Sequence, residues 1–199
     1  LILVSLFLTS EGFANTTSDE NNFLTPKASV YQKPDPLLGW IDSRSKQSLN
    51  GTWHYIVDPM DNGLPESFFG GFPKNKKQQN GMELIEYNFE KAKQINIPGA
   101  WNSQDDRLFF YRGSVWFYKK FSFSKKTSLL THLYFGGSNF RTKVFLNGHA
   151  VGEFIGGYVP FNFEVTNYLE EGDNFLVVQV NNSLNKSTIP TQKTDWWPY

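Results

Sequence analysis

The chain's candidate chemistry starts with its carboxylates. Hydrolysis of a glycosidic bond needs two of them facing each other across ~5 to 9 Å. Asp58, Asp61, Glu66, Asp105, Asp106, Glu153, Glu164, Glu170, Glu171 and Asp173 sit in turns or on strand faces, where a solvated carboxylate is the ordinary reading. Asp195 differs, because Trp196, Trp197, Pro198 and Tyr199 follow it directly. A carboxylate on an aromatic rim can fix sugar hydroxyls by charge-assisted hydrogen bonds while the rings pack on pyranose C–H faces. The same aromatic group would also serve as a packing plug, and the residues alone leave both readings open.

The other chemistry-bearing types form no constellation. His54, His132 and His149 lie in or beside strand-like stretches without HxH or HExxH spacing, so no metal site is expected. Ser103, Ser114 and Ser138 lack a GxSxG context. Gly136-Gly137 and Gly156-Gly157 precede no helix, so neither reads as a phosphate loop. No residue of the chain is expected to be catalytic by itself, and no cofactor is called for.

The stretches that must position these residues read as β throughout. Asn147-Gly148, between two short apolar runs, is a strong hairpin signal, because both residues accept the positive φ of a type I′ turn. Phe161, Phe163 and Val165 then alternate with Asn162 and Glu164. A polar turn over 167–173 leads into a strand over 174–180. Upstream, strands are predicted over 49–58, with Trp53, Tyr55 and Val57 on one face, and over 83–89, 93–97, 111–123 and 130–135. In the 111–123 strand Lys119 shares parity with Val115, Phe117, Phe121 and Phe123. Either it snorkels at an edge or a bulge at Lys119-Lys120 resets the register. Residues 59–81 read as a long loop with a short helical turn over 65–69, and 100–110 as irregular. No stretch has convincing helical periodicity. The pattern predicts an all-β, antiparallel two-sheet sandwich.

Composition narrows the partners. The 199 residues carry 19 basic and 19 acidic side chains, which gives no electrostatic case for nucleic acid or an anionic membrane. Cysteine is absent, which excludes disulfides and thiolate chemistry. The 19 Phe, 9 Tyr and 6 Trp must largely fill a core, with some free for sugar stacking. The opening LILVSLFL is too short to span a bilayer. It reads as the apolar part of a truncated signal peptide over 1–14, cleaved after Ala14 behind Gly12-Phe13. The competing reading is a strand or short helix. Residues 15–36 read as a disordered polar leader, and the expected location is periplasmic or secreted.

Several stretches together resemble the N-terminal sugar-binding domain of glycoside hydrolase family 2. Leu49-Asn50-Gly51-Thr52-Trp53 is similar to its opening strand, and Ile97-Pro98-Gly99-Ala100-Trp101-Asn102 to its VPG.WN element. Tyr111-Arg112-Gly113-Ser114-Val115-Trp116-Phe117-Tyr118, Val144-Phe145-Leu146-Asn147-Gly148 and Gly156-Gly157-Tyr158-Val159-Pro160-Phe161 follow in the family's order. Val180-Asn181-Asn182 and Thr194-Asp195-Trp196-Trp197-Pro198-Tyr199 close the series. Phe117 and Val159 each lack a hydroxyl that is usual there.

The resemblance implies a galactose-binding-like jelly roll over 37–199, incomplete at its C-terminal end. An immunoglobulin-like domain and a TIM barrel would follow, the barrel holding both catalytic glutamates of a retaining mechanism. It implies that Asp195 bonds sugar hydroxyls in the −1 subsite, with Trp196, Trp197 and Tyr199 supporting that loop or bordering the pocket. The partner implied is a β-glycoside, and a homo-oligomer is compatible with it. Ser187-Thr188-Ile189-Pro190 after Asn181-Asn182 is most similar to β-glucuronidases, with β-galactosidases second. A free-standing carbohydrate-binding module is the alternative from another class.

Overall fold

The structure, a computed structural model, describes residues 4–10, 32–61, 89–125 and 129–183. The turn expected at 65–69, nearly all of the strand expected at 83–89, and Asp195, Trp196, Trp197 and Tyr199 lie outside the described residues.

In chain order the strands are β1 (Val4–Ser10), β2 (Lys46–Ser48), β3 (Gly51–Asp58), β4 (Lys93–Ile97), β5 (Ser114–Phe123), β6 (Leu129–Phe135), β7 (Arg141–Leu146), β8 (His149–Ile155), β9 (Phe161–Glu164) and β10 (Gly172–Asn181). They form a four-stranded sheet, β2-β1-β6-β9, and a six-stranded sheet, β4-β3-β5-β10-β7-β8. Every strand pairing is antiparallel. The irregular 100–110 stretch contains two short 3-10 turns, Trp101–Ser103 and Asp106–Leu108. The all-β sandwich read from the sequence is the fold observed.

One core lies between the sheets. Trp53, Phe117, Val144, Leu176 and Val178 from the six-stranded sheet meet Leu133, Phe135, Phe161 and Phe163 from the four-stranded one. Phe161 stacks on Phe135 and on Phe154, with ring centroids 4.7 and 4.1 Å apart. A second cluster, Ile56, Phe89, Trp116, Phe145 and Val177, covers the other face of the six-stranded sheet. Strands β3 and β5 are therefore buried on both faces. That is why Val115-Trp116-Phe117-Tyr118 is a continuous apolar run rather than an alternating one.

The hairpin forms as its residues dictate. Asn147 has φ 51° and Gly148 has φ 85°. The Asn147 side chain also fastens the turn to β10, since its amide donates to Asn174 Oδ1 (2.7 Å) and its Oδ1 accepts from Phe175 N (3.0 Å). The Lys119 alternatives resolve in favour of snorkelling. The β5–β10 register runs without a shift from Phe123 to Ser114. The Lys119 ammonium reaches Thr52 O at 3.1 Å and lies 5.7 Å from the Trp53 ring centroid.

Two N-terminal stretches take defined places against the sheets. The apolar run read as an export segment supplies β1, a strand between β2 and β6. The end of the polar leader is not loose. Gln32 bridges Gly152, Asp35 N donates to Asn162 O (3.0 Å), and Asn162 Oδ1 accepts from Leu38 N (2.9 Å). These bonds satisfy the outer edges of β8 and β9, which would otherwise stay unpaired. Gly152 admits this close approach, because a Cβ there would sit 2.3 Å from the Phe163 ring and 2.8 Å from Gln32 O.

Candidate functional site

The last described segment ends at Ser183, two residues after β10, and a polar network pins that exit from the strand. Asp61 Oδ1 accepts from Ser114 Oγ (2.7 Å) and Gln179 Nε2 (2.9 Å), and Asp61 Oδ2 accepts from Asn181 Nδ2 (3.1 Å). Trp116 Nε1 donates to the buried Asp58 carboxylate at 3.1 Å. Asn182 is held through Gly113, whose N–H donates to Asn182 Oδ1 at 2.9 Å. Gly113 has φ 154°, and a Cβ there would lie 2.5 Å from the Tyr111 hydroxyl. Asp61 and Asp58 thus accept from neutral donors and anchor the ends of β3, β5 and β10.

The same end carries exposed aromatics. Phe109 and Phe110 pack edge to face, with centroids 4.7 Å apart, and are 54% and 88% exposed. Their loop hangs on the Trp101-Asn102 motif. The Asn102 amide donates to Leu108 O (2.6 Å), Phe109 O (3.1 Å) and Tyr111 O (3.1 Å). Across the end, Tyr158 is 62% exposed and Val159 and Ile155 are also exposed. This segment is joined to the β10 exit through Phe140, which donates to Asn181 O and accepts from Gly156 N. Replacing Asn102 by alanine should leave those carbonyls partly unsatisfied and cost about 1 to 3 kcal/mol. Urea unfolding would read that loss, and a change below ~0.5 kcal/mol would show that the loop holds without it.

A second polar group lines an open cleft of about 470 Å³ formed by Tyr55, Lys93, Gln94, Gln104, Asp105, Asp106 and Arg107. Its Asp105 carboxylate accepts from Tyr55 (2.5 Å), Lys93 (3.1 Å) and Arg107 (2.9 Å). Those bonds, the Arg107 guanidinium foremost, hold the Asp105 carboxyl well below the usual carboxylate range. With its lone pairs so occupied, Asp105 locks the Asp106–Leu108 turn onto β3 and β4. Gln104 works alongside: its amide accepts from Asn96 N and donates to Asn96 O, both at 2.9 Å, closing the β4 edge as a neighbouring strand would.

The Asp105 lock has a pH signature. Its folded pKa is depressed, so its stabilisation is present above the unfolded value of ~3.9 and is lost as pH falls from there. Stability should decline below about pH 5, and Asp105→Asn should be less stable at neutrality with a flatter acid limb. At high pH the sign reverses. Burial, with nearby carboxylates, pushes Tyr55 and Tyr111 each up to about 12. Their contribution is present below ~10 and is lost as pH rises to about 12. Denaturant melts across the pH range check both limbs, and an Asp105→Asn acid limb parallel to wild type contradicts the first.

The predicted site residues are Asp195, Trp196, Trp197 and Tyr199, and the structure describes the chain only as far as Ser183 before them. Sequence reasoning took Asp61 for a solvated turn carboxylate, whereas it gathers three side chains at the β10 exit. It reads 100–110 only as irregular and does not single out Phe109 and Phe110, which stand exposed after the two 3-10 turns. Their signal was the Asn102 position, a side-chain amide placed to bind the carbonyls a few residues downstream. Among the described residues no group of three or more His, Asp or Glu could hold a metal ion.

The chain has clear relatives. The profile of the family described as "Glycosyl hydrolases family 2, sugar binding domain" matches residues 46–199. A "Putative beta-glucuronidase" of Formosa agariphila is 31% identical over 161 residues, covering 79% of this chain and 17% of that protein. A beta-galactosidase of Thermoanaerobacter pseudethanolicus is 35% identical over 125 residues, covering 59% of this chain and 16% of that protein. Among solved structures, the Bifidobacterium dentium beta-glucuronidase complexed with coumarin-3-O-glucuronide superposes with TM-score 0.58 at 25% identity, over 72% of this chain and 21% of that one. The chain thus spans about a fifth or less of the length of the curated relatives named here.

Proposed function

Since this chain belongs to glycoside hydrolase family 2 as its N-terminal sugar-binding domain, we propose that it is part of an exported, retaining exo-β-glycosidase acting on β-glucuronides. The catalytic carboxylates belong to a following barrel domain, so the 199-residue chain by itself is inactive. The observation that carries the substrate class is the shared likeness, in sequence and in fold, to proteins named as beta-glucuronidases. The domain's own part is positional. The Asp61–Ser114–Gln179–Asn181 network fixes where the chain leaves β10. Asp195 then reaches the sugar, bonding its hydroxyls, with Trp196, Trp197 and Tyr199 bordering the pocket.

A second reading, a β-galactosidase of the same family, draws support from the 35% identity to the Thermoanaerobacter enzyme. Parallel assays of the full-length protein on aryl β-glucuronide and aryl β-galactoside separate the two. A free-standing carbohydrate-binding module predicts instead that the 199-residue chain alone binds monosaccharide. Calorimetric titration with glucuronic acid should show no binding in the millimolar range, and saturable binding there favours the module. The export reading rests on the apolar run at residues 1–8 and the small residues before Asn15. N-terminal sequencing of the mature protein should begin at Asn15, and a mature N-terminus that keeps the run excludes cleavage.

A further inference from the structure

The outer face of the four-stranded sheet is covered. Leu133, Phe135, Phe161 and Phe163 point into the core. Strand alternation therefore sends His132, Tyr134, Asn162 and Glu164 to the opposite face. There Asn162 is 0% exposed and Tyr134 8%. The segment 32–45 lies against this face as a strap, and it precedes the family match that begins at residue 46. Gln32 bridges Gly152 at β8. Asp35 spans the β9 edge: its N–H donates to Asn162 O, and its carboxylate accepts from Glu164 N. The Asn162 side chain holds the next residues, donating to Pro36 O (3.3 Å) and accepting from Leu38 N (2.9 Å). Further along, the Arg44 guanidinium donates to Gly39 O at 3.0 Å, and β2 follows.

One titratable group on this face suits its surroundings only while uncharged. His132 stands directly opposite Glu164 in the β6–β9 register. Its Nδ1 is buried and meets no hydrogen-bond partner among the described residues. In the neutral ring with its proton on Nε2, Nδ1 carries only a lone pair. Protonation makes that atom a buried donor without an acceptor and adds a charge. Burial accordingly pushes the imidazole below its ordinary range, Asp35 and Glu164 oppose that push, and Arg44 adds to it. Neighbouring elements bring little else that titrates near neutrality. Strand β1 has no ionisable side chain. Lys46 of β2 shares the His132 row through Phe7 and is paired with Asp42 at 3.7 Å. Burial raises the Tyr134 hydroxyl, which stays neutral in acid.

We propose that the strap is an acid-released clasp on the outer edges of β8 and β9, with His132 as its trigger. While the ring is neutral, the strap keeps its bonds to Asn162 and Glu164. Once the ring is protonated, Nδ1–H requires an acceptor or water. The carboxylate that the strap brings to this face is Asp35, already engaged with Glu164 N. Drawing Asp35 to the imidazolium breaks that bond, and admitting water lifts the strap, so either response loosens the clasp. Strands β6 and β9 do not yield instead, because their other faces form the core. The folded state favours the neutral ring, so the clasp is fully seated above about pH 6.5 and weakens as pH falls from there. Release bares the β9 edge, and β8 at Gly152, to pairing with other polypeptide.

Hydrogen exchange of the full-length protein at about pH 7.5 and about pH 5, corrected for intrinsic rates, tests the clasp. The Asp35 and Leu38 amides should lose about threefold to thirtyfold of their protection at the lower pH. The upper figure is the ceiling set by an ordinary imidazole pKa of ~6.5. The Leu176–Val178 amides of β10 should keep their protection, which separates release of the strap from unfolding. In His132→Phe, strap protection should agree within about twofold at the two pH values. Deuterium exchange at the imidazole C2 of His132 follows the trigger without any substitution, and its midpoint should lie below ~6.5. Strap protection that is independent of pH in the wild type overturns the proposal. So does an equal loss in folded His132→Phe, which assigns the effect to the carboxylates, or a His132 midpoint at or above ~6.5.

Discussion

Asp195→Ala in the full-length protein should lower kcat/KM on an aryl β-glucuronide by tenfold or more, a loss of ~1.4 kcal/mol or more of transition-state stabilisation. The size follows from the role assigned to the side chain. A carboxylate accepting hydrogen bonds from sugar hydroxyls in a water-poor pocket makes charge-assisted contacts, and these tighten as the ring distorts towards the transition state. Asp195→Asn keeps the shape and loses the charge, so it should fall between wild type and alanine. The thermal midpoint should stay within a degree or two, because the predicted contact is to substrate. An alanine variant with kcat/KM within twofold of wild type would mean that the domain only buttresses the barrel.

Trp53→Ala should be among the most damaging single changes to the fold, at about 3 to 5 kcal/mol. Trp53 is 1% exposed and sits in the inter-sheet core. Its indole N–H donates to Leu49 O at 2.8 Å, and the Lys119 ammonium lies over its ring. Truncation leaves a cavity, an unpaired buried carbonyl and a lysine without its aromatic support. Domains of this size are stable by only about 5 to 15 kcal/mol, so much of the margin goes. With ~2 to 4 °C of melting temperature per kcal/mol, the midpoint should fall by roughly 6 to 20 °C. Trp53→Phe keeps most of the packing and should lose well under half as much. A shift below ~3 °C for the alanine variant would show that the core closes over the gap.

The sheet scaffold was legible because local rules agree with one another there. Asn147-Gly148 set a turn that only residues tolerating positive φ can make, and the Phe161, Phe163, Val165 alternation names the inward face. The strand at Lys93–Ile97 ends where the sequence put it, before Pro98-Gly99. The misreadings arise where tertiary contacts decide. Asn162 belongs to the polar face of an alternating strand, yet it is fully buried because Pro36 and Leu38 fold over it. Lys119 could not be placed from parity alone, since the choice between a bulge and a snorkelling lysine depends on the Trp53 ring across the sheet. The N-terminal run shows the same limit: an apolar octamer satisfies an export pathway and a sheet interior equally well. At the site, the aromatic and acidic character of residues 195–199 could be read from the chain. The network at the end of β10 could not, because Asp61, Ser114 and the Gln179–Asn181 stretch are distant in sequence and meet only through the β3–β5–β10 register.

The central claim is that this sandwich belongs to a glycosidase selective for β-glucuronides. The ratio of kcat/KM for aryl β-glucuronide to that for aryl β-galactoside, measured on the full-length protein, tests it most directly. The glucuronide should be favoured by about a hundredfold or more, ~2.7 kcal/mol at the transition state. A ratio near or below one, or turnover of neither substrate by the folded full-length protein, contradicts it.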